Sequence, residues 1–409
     1  MRRVVVLAPE PIRPRMAGMG IRALELARAL SSEFDARLLV PNSEAEAREV
    51  AGEIAVTSVA HAGLSPAAAG ADAAIVSGHA GSSWFREVLA VPVAADLYDP
   101  FPIENLHYAA ALGPEPARSD RAALALALAR ADIFLCASPE QRLFYAGALY
   151  AAGRIGAGNF PSDPLLSRLL AVVPFGVPEE AAAGDRARGR ALAGVPAEGP
   201  LLLFGGIYDW YEPELLLEAW PLVRAGAPRA SLLFFENPNP ETTPQRAYAR
   251  ARARARNLDP AGESIVFSPW LPYGARGDLY AASDLLVSIS ADGLESDLAF
   301  RTRLLDAAWG GVPGVAVGGG TLARQLEEAG AARRVERDPR ALSRAILEML
   351  GSGDRPREAA RRFAAGRTWS RVAEPLAAWC RRCEIDPGRR PFPVAAAARA
   401  PLWRRLWSR

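Results

Sequence analysis

Leu201-Leu202-Leu203-Phe204-Gly205-Gly206 runs into Ile207-Tyr208-Asp209-Trp210-Tyr211-Glu212-Pro213-Glu214 and then into a helical pattern through Leu217 and Trp220. Consecutive apolar residues closed by two glycines suit a strand buried on both faces that turns tightly into a helix. Pro213 fits the first helical turn, and the acids around it favour the positive end of the helix. The same strand–turn–helix shape recurs in both directions along the chain. Val4–Ala8 leads through Met16-Ala17-Gly18-Met19-Gly20 into a helix carrying Ile21, Leu24, Leu26 and Leu30. Arg37–Val40, Ala73–Val76, Val91–Ala95 and Ile133–Cys136 read as further strands of a first series, with a helix over 119–131 before the last. Ser231–Phe235, Ile265–Phe267, Leu285–Ile289 and Gly314–Val317 continue the second. Continuous apolar runs alternating with helical segments mean parallel, doubly wound α/β sheets.

The pattern pauses at Val172-Val173-Pro174-Phe175-Gly176-Val177-Pro178 and stays polar, Gly- and Arg-rich to Pro200. This places a boundary between two similar α/β domains, 1–178 and 179–366, followed by a helical and then irregular segment over 367–409. In such sheets ligands bind outside the carboxyl ends of the strands, so a cleft between two facing domains is the expected site.

Composition narrows the class. The chain has 409 residues, 50% apolar and 23% charged, with a net charge of +2, which fits a folded chain of two or three domains rather than a disordered one or a general polyanion binder. Lysine is absent, so all 48 basic residues are arginine. Three cysteines do not make a disulfide scaffold. No apolar run reaches the length of a membrane span, and the start at Met1-Arg2-Arg3 has too short an apolar core for a signal peptide, so a cytoplasmic protein is expected. Residues 389–409 hold six arginines and no acid, leaving −4 on the other 388. Trp403, Leu406 and Trp407 beside Arg404 and Arg405 suit a lipid headgroup region, or else a tail docked on the first domain or left disordered.

Three clusters carry candidate chemistry. At Gly18 and Gly20 small residues precede a helix N-terminus, an arrangement that admits an anion or makes an ordinary turn. Gly205-Gly206 offers backbone N–H groups to a phosphate in the same way. In Asp292, Glu295, Asp297, Arg301, Arg303 and Asp306, the pair Arg303 and Asp306 lies three apart on one helical face. Arginines at a helix start are unfavourable without an anion, which is either a bound phosphate or the nearby Glu295 and Asp297.

These segments together resemble the GT-B-fold glycosyltransferases of the large retaining family that includes sucrose synthases and many bacterial polysaccharide and lipid-glycan transferases. The resemblance rests on the Gly18-Met19-Gly20 loop, Val173-Pro174-Phe175-Gly176-Val177, Gly205-Gly206 and the helix Leu304–Pro313, which is similar to the family's E-A-x-A-x-G-x-P. Thr368-Trp369-Ser370-Arg371-Val372 resembles its closing helix, which returns to the first domain. It implies two Rossmann-like domains facing across a cleft, a nucleoside-diphosphate sugar on the second and a glycan or lipid-linked acceptor on the first. It implies that Asp306 holds the nucleotide ribose, that Gly205 and Gly206 approach the diphosphate, and that Trp270 and Leu271 line the base pocket, where Trp270 stacks on a base or is simply core. Asp96 and Asp99, after the strand ending at Ala95, fall where relatives face the donor sugar; they hold hydroxyls, act as a base, or cap a helix.

Two departures matter. Counting back from Asp306 puts Leu298 where the family has its first carboxylate, so Glu295 fills that role only across a gap. Asp209 and Trp210 stand where the family has Arg and Lys, which leaves Arg301 and Arg303 to meet the diphosphate. No metal is expected, since no Asp-x-Asp triplet appears, and the nucleotide-sugar is a co-substrate rather than a cofactor. Cys380-Arg381-Arg382-Cys383 lacks a redox or metal context. His61 and His79 read as surface or loop residues, His107, after the acidic motif, as a site candidate, and the arginines of 246–256 as a solvated helix face rather than a nucleic-acid contact. By this resemblance the expected activity is transfer of a sugar from a nucleoside-diphosphate sugar to a glycan or lipid-linked acceptor in surface-polysaccharide or glycolipid assembly, with retention; a nucleotide-sugar epimerase of the same fold and a non-catalytic scaffold are the alternatives, with a nicotinamide dehydrogenase more distant.

Overall fold

The computed structural model describes residues 1–88, 90–240 and 243–390. Most of the basic tail, including Trp403, Leu406 and Trp407, lies outside the described residues. The chain forms two compact units, Met1–Phe175 together with the segment from Trp369, and Gly176–Thr368.

The first unit holds β1 (Arg3–Leu7), β2 (Asp35–Val40), β3 (Ala55–Ser58), β4 (Ala73–Ser77), β5 (Val93–Asp96), β6 (Ile133–Cys136) and β7 (Leu170–Val172). They form one sheet in the order β3-β2-β1-β4-β5-β6-β7. The second holds β8 (Leu201–Gly206), β9 (Ser231–Phe235), β10 (Ile265–Ser268), β11 (Leu285–Ile289), β12 (Gly314–Val317) and β13 (Ala332–Arg334), in the order β10-β9-β8-β11-β12-β13. All pairings between these strands are parallel. Both sheets are doubly wound, and each reverses strand order once, between β1 and β4 and between β8 and β11.

The central strands explain why the sequence shows them plainly. Every residue of β4, β9 and β11 is buried, because helices cover both faces of the sheet. Phe134, Phe204 and Phe234 are fully buried in the two cores. Three strands are absent from the sequence reading: β3, β7 and β13, all at sheet edges; β7 lies in the apolar run 169–173, whose end reads as the start of the boundary between domains. In β13 Arg333 and Arg334 are exposed, so no continuous apolar stretch is needed there.

Three aspartates fasten the amino ends of these strands with one repeated geometry. Asp72, Asp132 and Asp284 each stand one residue before a strand. Each accepts through Oδ2 from the first amide of the adjacent strand: Arg3 N at 2.8 Å, Val93 N at 2.7 Å and Leu201 N at 2.8 Å. Each also donates its own amide to the carbonyl of that same residue, at 2.8 Å in all three cases. Two of these clasps sit at the two points where strand order reverses.

The arginine-rich helix Arg246–Leu258 is explained by its neighbour. Arg250 pairs with Glu214 at 2.8 Å and Arg254 with Glu218 at 3.1 Å, so arginines four apart meet glutamates four apart on the helix Pro213–Gly226.

The segment from Trp369 completes the first unit. The Trp369 ring meets Phe175 edge-on at 4.7 Å, and Trp379 and Cys380 are buried. Arg381 on the helix Glu374–Arg382 holds Glu33 at 2.7 and 2.8 Å and Glu374 at 2.8 Å. Further on, Asp386 pairs with the buried Arg154, and Arg389 reaches Asp132 at 3.2 Å. Arg381 donates to both glutamates and holds their pKa values below the usual 4.5. A depressed folded-state pKa means that the unfolded or undocked segment takes up protons first as pH falls. The contribution is therefore present above about pH 4.5 and lost below it. Protection factors of 374–382, taken relative to the intrinsic exchange rate at each pH, are expected to fall on acidification through this range in the wild type, and Arg381→Ala to show the lower protection already at neutral pH.

Candidate functional site

The carboxyl edge of the second sheet is built around the reversal between β8 and β11, and the two glycines ending β8 serve different needs. Gly205 has φ +85°, a left-handed conformation, and the register against β9 shifts between Leu203 and Gly205. Gly206 makes room for Trp270: a Cβ there would stand 2.6 Å from Trp270 Cζ3. Trp270 is half-buried, follows β10, and meets Phe235 edge-on at 6.2 Å. Leu271, next to it, is also half-buried.

Arg303 holds this bulge in shape. Its Nη1 donates to Phe204 O and its Nη2 to Gly206 O, both at 2.7 Å, so the guanidinium spans the carbonyls on either side of Gly205. It also lies 3.9 Å from the centre of the Tyr211 ring. Burial, and the neighbouring Arg301 charge, lower its pKa from the usual arginine value, while the tyrosines around it oppose the shift. The helix Thr302–Trp309 carries Arg303 and, one turn on, the half-buried Asp306. Burial and then the Asp306 charge push the nearby Tyr280 hydroxyl well above its ordinary value.

Arg301 behaves differently. It is 4% exposed and donates to both oxygens of Glu295, at 2.7 and 2.6 Å, and to Ser290 Oγ at 3.0 Å. Glu295, expected to face a sugar, is itself 3% exposed and shares both oxygens with this arginine. The anion that Arg301 meets in the structure is thus Glu295. Asp209 is also spent internally: it accepts from Ala247 N and Arg246 Nε, each at 2.9 Å, and caps the start of the helix Arg246–Leu258. Trp210 stacks flat on Tyr208 at 4.8 Å.

The loops after β8 and β11 are joined across the reversal. Glu212 N donates to Ile289 O at 3.1 Å and Ala291 N to Trp210 O at 3.0 Å. Arg337 bridges them from outside, bonding Glu212, Asp292 at 2.7 Å and Ser290 O at 2.8 Å. Reading the sequence missed Arg337 and a second glycine turn. Gly318, Gly319 and Gly320 all have positive φ, at 72°, 88° and 59°, between β12 and the helix Gly320–Glu328. A Cβ on Gly320 would meet the carbonyls of Ser296 and Ala299 at 3.0 Å. Three consecutive glycines between a strand and a helix were the visible signal.

In the first unit the helix Gly18–Ser31 begins at Gly18, and Gly20 N donates to Glu10 Oε1 at 2.6 Å. The anion at this helix start is the chain's own carboxylate, which sequence reading did not single out. Asp96, at the end of β5, is 6% exposed and meets the 1%-exposed Arg22 at 2.6 and 2.9 Å. Arg22 also donates to Val173 O and Pro174 O, each at 2.9 Å, so this pair ties the helix, β5 and the chain after β7 together. Asp99 is half-buried, and its charge reaches the buried hydroxyls of Tyr98 and Tyr145. His79 is not a lone loop residue: its Nε2 lies 2.5 Å from Asp120, which also accepts from Asn105 at 2.9 Å. Cys380 and Cys383 are free, and burial raises both thiol pKa values. Among the described residues no three His, Cys, Asp or Glu side chains group as a metal site, and no helix is long and apolar enough to cross a membrane.

Two reversed parallel sheets in series can be compared with known structures. A structure of Anabaena HepE in complex with UDP and glucose matches with a TM-score of 0.68 at 16% identity, covering 93% of this chain and 100% of that one. The chain has the GT-B fold. Sucrose-phosphate synthase from Thermosynechococcus elongatus matches this GT-B chain at a TM-score of 0.62 and 15% identity, over 93% and 99% of the two chains. A Listeria monocytogenes structure described as a UDP-N-acetylglucosamine 2-epimerase matches at 0.54 and 15%, over 96% and 99%. No family model and no curated protein matches the sequence.

Two stability predictions follow from these contacts. Gly206→Ala is expected to push Trp270 aside at a cost of about 1–3 kcal/mol, the usual range for overpacking, read by urea unfolding and by a shift in tryptophan emission. Asp96→Ala and Glu295→Ala each strand a buried guanidinium, so each should cost about 3–5 kcal/mol. A double-mutant cycle with Arg301 should show that removing both members of the Glu295 pair costs less than the two single losses combined.

Proposed function

We propose that this GT-B chain is a glycosyltransferase that moves a sugar from a nucleoside-diphosphate sugar to a glycan or lipid-linked acceptor. The observation that carries the reading is the placement of Arg303 and Asp306. One helix brings a guanidinium and a carboxylate, three residues apart, to the carboxyl edge of the second sheet beside Gly205-Gly206. Breaking the sugar–phosphate bond leaves added negative charge on the departing diphosphate. A guanidinium already fixed on Phe204 O and Gly206 O stabilises that charge without having to reorganise. Its remaining N–H groups suit phosphate oxygens. Asp306 would accept the two ribose hydroxyls. Gly318–Gly320 would add backbone amides near the same edge.

The burial of Glu295 with Arg301 gives that pair a positioning role in this reading. It fixes the loop after β11 against Ser290 rather than contacting sugar. Asp99 is the acid of the first unit that this reading turns toward the donor sugar, to hold a hydroxyl or act as a base. A retaining outcome and independence of metal belong to the same proposal. Uracil is the first base to test, because HepE structures hold UDP and UDP-glucose. The epimerase-described neighbour supports a second reading, in which donor is isomerised without any acceptor.

Calorimetry with UDP in the presence of EDTA tests the donor assignment. Arg303→Gln is expected to weaken binding about 10–100-fold, in line with loss of a charge-assisted phosphate contact, and Asp306→Ala about tenfold. Unchanged affinity in both variants would sink the donor site. Incubating UDP-sugars with and without added acceptors, followed by product analysis, separates transfer from isomerisation.

A further inference from the structure

The opposite, amino-terminal edge of the second sheet holds a feature that donor binding does not use. A groove of about 270 Å³ is lined by Arg186, Arg357, Asp284, Pro200, Met349 and Leu350, among others. Asp284 is the carboxylate among its lining residues, and three arginines converge on it. Arg186 Nη2 lies 2.9 Å from Oδ2, Arg357 Nη2 3.1 Å from Oδ1, and the buried Arg190 3.5 Å from Oδ2. Leu201 N also donates to Oδ2. The carboxylate is thereby saturated, while the cluster keeps a net charge of +2.

The backbone sharpens the excess. Arg186 opens the helix Arg186–Ala193 and Arg357 lies in the first turn of Arg355–Ala365. Cations at helix starts oppose the helix dipole. Burial and the Arg186 charge lower the pKa of Arg190, a sign of this crowding. Arg357 keeps Nε and Nη1 without a hydrogen-bond partner among the described residues, and Arg357 and Arg186 are 26% and 47% exposed at the side chain. Two forked donors in a groove that Pro200, Met349 and Leu350 also line match an anion.

We propose that this groove is a binding site for a small phosphorylated metabolite, with its phosphate held by Arg186 and Arg357. It is separate from the donor edge, since β8 runs from Leu201 beside Asp284 to Gly206, about 16 Å at the usual rise per residue. The phosphate completes the charge balance that Asp284 leaves unfinished, and about 270 Å³ is room enough for a ligand of roughly sugar-phosphate size.

Inorganic phosphate is the probe, titrated calorimetrically against the full chain at constant ionic strength in chloride. The double variant Arg186→Gln/Arg357→Gln is expected to lose at least tenfold in phosphate affinity. Unchanged phosphate affinity in the double variant, or no phosphate binding by the wild type, overturns the site. Hydrogen exchange of the wild type gives a reading that does not depend on any variant folding. Phosphate should protect 184–201 and 349–358, and protection confined to 204–211 and 301–306 would assign the anion to the donor edge instead. UDP binding by the double variant is expected to be unchanged, so failure of the donor reading and failure of this one give different results.

Discussion

A parallel strand buried on both faces must begin with its first amide satisfied, and the same solution appears three times. Asp72, Asp132 and Asp284 each return two hydrogen bonds to a single residue of the neighbouring strand. A buried amide left open costs about 1–3 kcal/mol, but the larger effect is on register. A strand that slipped by one residue would turn its apolar side chains to the wrong face and lose both bonds. With the amino ends clasped at β1/β4 and β8/β11, the carboxyl ends of these central strands emerge level, and the loops that follow them start from fixed positions. The geometry of Gly205, Ser290 and Arg303 depends on that alignment.

The second layer of order comes from arginine. With no lysine in the chain, every positive side chain is a planar fork able to bridge two acceptors. Arg22 joins Asp96 to two carbonyls after β7, Arg301 joins Glu295 to Ser290, and Arg303 spans Gly205. Arg337 links the loops after β8 and β11. Much of the charge near the strand ends is therefore structural, and Arg303 is distinguished by being held through carbonyls rather than through a carboxylate.

That distinction could not be read from the sequence. The architecture was legible because strands such as β4, β9 and β11 are covered on both sides and appear as continuous apolar runs. Edge strands such as β13, with two exposed arginines, carry no such run. Helical spacing correctly put Arg303 and Asp306 on one short helix. Spacing says nothing about pairings across irregular backbone. Arg301 reaches Glu295 around the bend at Ala299-Phe300, Asp209 caps a helix that starts 37 positions later, and Glu10 turns back onto Gly20. The Arg301–Glu295 pair was one of the two readings that proximity in sequence left open, whereas the partners of Asp209 and Glu10 are brought near only by the folded loops.

The segment from Trp369 has a consequence for the order in which the molecule is assembled. The second unit begins and ends side by side, with Val177 N bonded to Arg367 O at 2.9 Å and Val177 bridged to Thr368. It is an uninterrupted stretch of chain and can close as soon as Thr368 has been synthesised. The first unit cannot: Trp369, Trp379 and Cys380 fill its interior, and Arg381 and Asp386 hold its surface and its buried Arg154. During translation residues 1–175 must wait, with part of their apolar surface open, for the segment from Trp369. A nascent chain of this protein thus finishes its later-encoded unit first, and the interval before Trp369 arrives is when the earlier one is exposed to misassembly and to chaperones.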